Sequence, residues 1–241
     1  MADERDKGAA GPGGRQLSNQ SQVDAFLAKV KATPPPAVAA RGRLIFALDA
    51  TASRQPTWDA AMQIQAEMFN ATAALGGLDI QLVFYRGFGE FVAGPWDSSA
   101  PDMLARMSRV SCVAGQTQIA TVLAHARAEA GRGKVGALVF IGDCVEEDVD
   151  RLGRLAGELG LLGVRAFLFH EGADAEARRA FEHIAKLTGG ACCPFDRSSA
   201  SQLKDLLGAV AVYAAGGRRA LEDFSRRRGG IVRQLTHQLD R

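Results

Sequence analysis

Apolar runs of strand length, separated by stretches with helical periodicity, constrain this chain more than any other feature of its sequence. Residues 44–48, Leu-Ile-Phe-Ala-Leu, form the first run, and residues 135–141 and 163–169 form two more. Residues 79–85 open on an acid and then turn apolar. A strand without polar alternation is buried on both faces, which is the pattern of a central parallel strand. Parallel neighbours need a crossover. Trp58, Met62, Ile64, Met68 and Leu75 supply one apolar helix face, with Pro56 near its start and Gly76-Gly77 as its stop. Residues 176–187 supply a second helix, and residues 201–215 read as the last helix of the domain. Residues 90–93 read as an antiparallel edge strand in a hairpin with the 79–85 run, and residues 191–195 as a short edge strand. A short helix is expected from residue 101 to about residue 110. The prediction is an α/β fold: a doubly wound, mostly parallel sheet with helices on both faces and one antiparallel edge strand.

The first run stops at Asp49, and hydroxyls follow at Thr51 and Ser53. Open α/β sheets hold their ligands at the carboxyl ends of the strands, and a spacing of two throws side chains to one side of an extended backbone. One carboxylate and two neutral hydroxyls are hard oxygen donors, suited to magnesium or manganese better than to zinc. The same residue types are also preferred N-caps, so simple capping of the next helix is the alternative at this point. The 135–141 run ends in the same way, at Asp143, and a turn at Gly115 leads to Thr117 at the start of a further helix. Glu146, Glu147 and Asp148 read as acids that favour the N-terminal end of the helix they precede. His170 and Glu171 read as a strand-end loop.

Taken in chain order, Asp49-x-Thr51-x-Ser53, Gly115-x-Thr117 and Asp143 resemble the metal-ion-dependent adhesion site of von Willebrand factor A (VWA) domains, of the bacterial intracellular type. The resemblance covers residues 42–215 and takes in Lys186-Leu-Thr-Gly-Gly190. It implies a Rossmann-like fold and a metal set of Asp49, Thr51, Ser53, Thr117 and Asp143 holding Mg2+ or Mn2+. The hydroxyls would stand on or near the ion, and the two carboxylates would act largely through water. It further implies a non-enzymatic protein-binding module whose partner offers an acidic side chain to the metal, such as an AAA+ ATPase or another member of a multiprotein complex. Two residues depart from the pattern. Cys144 stands where a glycine usually follows the aspartate, and Arg54 brings a cation beside the ion's loop, so a VWA scaffold with a vestigial metal site is one alternative. A magnesium-dependent phosphotransferase or phosphatase of the haloacid-dehalogenase type, with Asp49 as nucleophile, is another. That chemistry wants a second carboxylate two residues on, where this chain has Thr51.

Residues 1–20, rich in glycine and charge, are expected to be a disordered lead-in. Residues 21–41 are expected to be a docking helix followed by a proline-rich link. Residues 216–241 read as a basic C-terminal helix with apolar stripes at Leu221 and Phe224 and at Ile231, Val232, Leu235 and Leu239. A net charge of +2 gives no general reason to expect nucleic acid. No apolar run approaches the ~20 residues of a membrane span. The four cysteines form no C-x-x-C pair, so reduced thiols and a cytoplasmic location are expected.

Overall fold

The computed structural model describes residues 41–195, 200–228 and 230–239. The expected lead-in and docking helix therefore lie outside the described residues. At the centre is β1 (Gly42–Asp49), whose last six residues are all buried. It pairs in parallel with β2 (Leu78–Arg86) on one side and, beyond a long excursion, with β4 (Ala137–Gly142) on the other. β3 (Glu90–Asp97) returns antiparallel on β2, with an irregularity between Gln81 and Val83. β5 (Arg165–Glu171) and β6 (Ala191–Phe195) extend the parallel part, giving the order β3-β2-β1-β4-β5-β6. The fold is the α/β architecture expected, with one antiparallel strand. β3 is twice the expected length.

Helices cover both faces because each strand sends alternate side chains to opposite sides. Leu44, Phe46 and Leu48 point to one layer. There they meet α1 (Gln55–Ile64), α2 (Ala66–Thr72), α3 (Ala100–Met107) and α7 (Ala200–Arg228) through Trp58, Met68, Met103 and Leu207. Ile45 and Ala47 point to the other layer, where α4 (Ile119–Arg132), α5 (Val149–Leu161) and α6 (Ala175–Thr188) place Leu123, Leu152 and Phe181. The crossover read as one helix is divided at Gln65 into α1 and α2, and it stops as expected at Gly76, whose φ of 96° suits a residue without Cβ.

The last described helices pack into the same core. α7 continues past residue 215 through a non-helical Gly217, at φ 69°, and α8 (Gly230–Gln238) follows. Leu221, Val232, Leu235 and Leu239 are buried among the side chains of the first layer. Gln238 exchanges two hydrogen bonds of 2.9 Å with the backbone of Cys192, so a side-chain amide occupies part of the outer edge of β6. Cys192 and Cys193 are both buried and point to opposite layers, as adjacent strand residues must. No described helix is long and apolar enough to cross a membrane.

Candidate functional site

Strand order reverses between β1 and β4, where parallel sheets leave a crevice beyond the carboxyl ends of their strands. Leu48 lies level with Ile141, so Asp49 and Asp143 emerge side by side from these two strands. They are close enough that the charge of Asp143 acts on Asp49. Asp49 is 3% exposed. Burial raises its pKa, and a 2.7 Å hydrogen bond donated by the Thr51 N–H to its Oδ1 opposes that rise.

The loops are tied together by their backbones. The Ala50 N–H donates to the Tyr85 carbonyl at 2.9 Å, and the Val113 N–H donates to the Ala50 carbonyl at 3.0 Å. The Gln116 N–H donates to the Gly87 carbonyl at 3.2 Å. A Cβ on Gly115 would collide with that Gly87 carbonyl, which accounts for glycine there. The segment that carries Thr117 is thereby held against the ends of β1 and β2.

Capping does not explain the first motif. Thr51 is extended (φ −71°, ψ 162°) and makes no capping bond to the turn Ala52–Arg54, and Arg54, which precedes α1, makes none either. Ser53 is exposed on that turn. Thr117 is nearly buried, and its contacts are with Glu146: the Thr117 N–H donates to Glu146 Oε2 at 2.9 Å, and the Glu146 N–H donates to Thr117 Oγ1 at 3.1 Å. Glu147 accepts from the N–H groups of Ile119 and Ala120, the latter at 2.9 Å. Of the three acids read as serving the helix they precede, only Asp148 does so, accepting from the N–H groups of Asp150 and Arg151. Glu146 and Glu147 reach across to the Thr117 loop and to the amino end of α4, where free N–H groups and the helix dipole favour an anion.

Arg54 is the residue whose place the sequence left least defined. It is 2% exposed. Its Nη1 donates to Asp143 Oδ2 at 2.8 Å, and its Nη2 donates to Thr57 Oγ1 at 2.8 Å and to Glu171. The Thr57 hydroxyl also donates to Glu171. Burial works against the Arg54 charge, but Asp143 and Glu171 outweigh it and raise the pKa. Glu171, read as part of a loop, is the buried end of β5. His170 beside it is buried too, and burial lowers its pKa.

Tyr85 lies opposite Asp49 in the β1–β2 register. Its buried hydroxyl faces the Asp49 carboxylate, and burial together with the Asp49 charge pushes its pKa well up. Among the described residues, no three His, Cys, Asp or Glu side chains form a metal-binding group. An ion here would rest on hydroxyls, on water and on carboxylates one shell back. Asp49, Thr51, Ser53, Thr117 and Asp143 are hard oxygen donors that fit a magnesium-like ion in kind. As folded, Asp143 is in contact with Arg54 and Thr117 with Glu146.

No family model matches the chain, and no curated protein matches it in sequence. Solved structures do match its shape. A von Willebrand factor type A protein from Catenulispora acidiphila superposes with a TM-score of 0.57 at 14% identity, over 71% of this chain and 43% of the other. Proximal thread matrix protein 1 of the mussel byssus, in a form with zinc in its metal-ion-dependent adhesion site, gives 0.56 at 15% identity over 72% and 46%. The SpRpn10 VWA domain gives 0.53 at 13% identity over 68% and 95%. The chain thus spans less than half the length of the first two and nearly all of the third. At these identities the likeness is one of fold, and the fold is that of a VWA domain.

Proposed function

We propose that this chain is a non-enzymatic protein-binding module of VWA fold that works through the carboxyl rim of its sheet. The observation that supports this reading is the set of hydrogen bonds that ties together the loop after β1, the approach to α4 and the loop after β4, the loops that carry Asp49, Thr51, Thr117 and Asp143, with Ser53 exposed on the turn after Thr51. The neighbouring hairpin tip supports it. Phe88 is 84% exposed between Gly87 and Gly89, both at positive φ, and Val113 beside it is also exposed. An aromatic ring displayed next to a polar, partly buried rim is the composition of an interface centre and its border.

In this proposal the rim takes up Mg2+ or Mn2+, which when bound would supply an electrophilic centre for an acidic side chain of the partner. Asp49 and Asp143 would orient the water around that centre, and Thr51, Ser53 and Thr117 would present hydroxyl oxygens to it. A partner within a cytoplasmic multiprotein assembly, such as an AAA+ ATPase, matches this chemistry. The haloacid-dehalogenase alternative is disfavoured by Thr51, a hydroxyl where a general acid is needed.

The test is affinity capture of a partner by the immobilised full chain with excess magnesium and then with chelator. Wild type should retain a partner that chelator and Asp49→Ala each release. Capture unaffected by both treatments, or turnover of a phosphate ester that depends on Asp49, would overturn the proposal.

A further inference from the structure

The geometry points to Arg54 as a tethered competitor for the divalent cation: its guanidinium holds Asp143 when no ion is bound, so uptake of an ion requires that this one pair be broken. The inference rests on the metal-binding part of the function proposed above and identifies the residue that sets the affinity. Its basis is the division of labour within one side chain. Nη2 is anchored between Thr57 Oγ1 and Glu171, deep in the sheet end, while Nη1 alone reaches out to Asp143, whose side chain is 30% exposed. A guanidinium is planar and forked, so it can satisfy two carboxylates at once where an ammonium serves as a single point charge. Releasing Asp143 leaves the buried half of the fork paired, whereas withdrawing Arg54 entirely would take its cation from the buried Glu171, which would keep the Thr57 hydroxyl. The pair with Asp143 is the one that can open.

The rest of the rim fits a closed, self-satisfied state. The Asp49 carboxylate accepts from its own loop through the Thr51 N–H, and Thr117 is engaged by Glu146. Arg54 also contributes a positive charge against the carboxylate that an incoming cation would use, and like charges in a partly dry crevice repel strongly. A site that must first open binds with its intrinsic affinity scaled down by the fraction of molecules already open. By reciprocity, an ion that does bind drives the Nη1 arm away from Asp143.

The experiment is calorimetric titration of MgCl2, and separately MnCl2, into the metal-stripped full chain, comparing wild type with the charge-balanced double variant Arg54→Gln/Glu171→Gln. The double variant removes the competitor without leaving a buried unpaired charge. It should bind magnesium more tightly than wild type by about tenfold or more, the usual size of such a coupling. Arg54→Lys serves as the second variant, because it keeps a cation for Glu171 without the fork that also spans Asp143. It should shift affinity in the same direction by a smaller factor, and it stands in for the double variant should that chain fail to fold. Equal magnesium affinity in wild type and either folded variant overturns the role of Arg54 while leaving metal binding intact. Absence of binding in all three overturns the competitor and the metal-dependent part of the proposed function together.

Discussion

The two ends of the sheet are built to opposite plans. At the amino end, backbones are packed without room for a methyl group: a Cβ on Gly136 would lie 2.7 Å from the Ala214 carbonyl oxygen, and one on Gly42 would lie 2.5 Å from the Ala215 Cα. α7 is pressed there directly onto the beginning of β1 and the approach to β4. At the carboxyl end Asp49 and Glu171 close their strands, Tyr85 lies one residue before the end of β2 and Asp143 stands just beyond β4, and the space among them is polar and charged. Close packing at one end frees the other to hold groups that destabilise a fold on their own. Close backbone packing and buried charge are thereby segregated along the strand axis.

The hardest test of that contrast is Arg54→Ala, which leaves Glu171 buried without its cation. A loss of about 3–5 kcal/mol is expected by chemical denaturation, and Arg54→Met/Glu171→Met should recover most of it. Little loss in the single variant would mean that the carboxyl end carries no buried charge network. Next in size is the amino end. Gly136→Ala should cost about 1–3 kcal/mol through overpacking against α7, with magnesium affinity at the far rim unchanged in a titration of the folded variant. A shift in that affinity would break the segregation.

A smaller effect concerns protonation. The folded-state pKa of Asp49 is raised by burial, so the native chain holds this proton to higher pH than the unfolded chain does. Its contribution to stability is fully present below the unfolded carboxylate pKa and is lost as pH rises through the folded value. Asp49→Asn should therefore unfold at a higher temperature than wild type at neutral pH in the absence of metal, with the gain shrinking as pH falls toward the unfolded pKa. A gain that is constant across that range would assign the effect to something other than charge burial. The smallest stability change is expected for Phe88→Ala, within about 0.5 kcal/mol of wild type, alongside weaker capture of the partner. A large loss of stability there would make Phe88 a structural residue.

The sheet was legible because its signal is local. The continuous apolar run of residues 44–48 requires burial on both faces whatever its neighbours turn out to be, and Gly76 marks a helix stop through its own backbone. The rim was legible only in part. Asp49 and Asp143 announce themselves as the first polar residues after buried strands, but the partner of Asp143 does not. Arg54 meets Asp143 across 89 residues of sequence and Glu171 across 117, separations over which no periodicity or cap signal acts. Glu146 and Glu147 misled for the related reason that a nearby helix offered a sufficient local account, while the N–H groups they serve lie 27 to 29 residues upstream. A pointer to the network was present in Glu171 itself, an acid closing an apolar run, whose charge needs a cation or hydrogen-bond donors if it is buried.

The strand order carries a consequence for how the molecule is made. β1 is the first described strand to be synthesised, yet one of its borders, β4, emerges from the ribosome almost a hundred residues later, and pairings over such distances form slowly. Until then its apolar flank stays open to solvent and to other chains, the window in which aggregation and chaperone capture compete. The anchor for Arg54 emerges later still, at Glu171, so a nascent chain stalled before that point has Thr57 and Asp143 for the guanidinium but lacks the buried carboxylate that holds its inner arm.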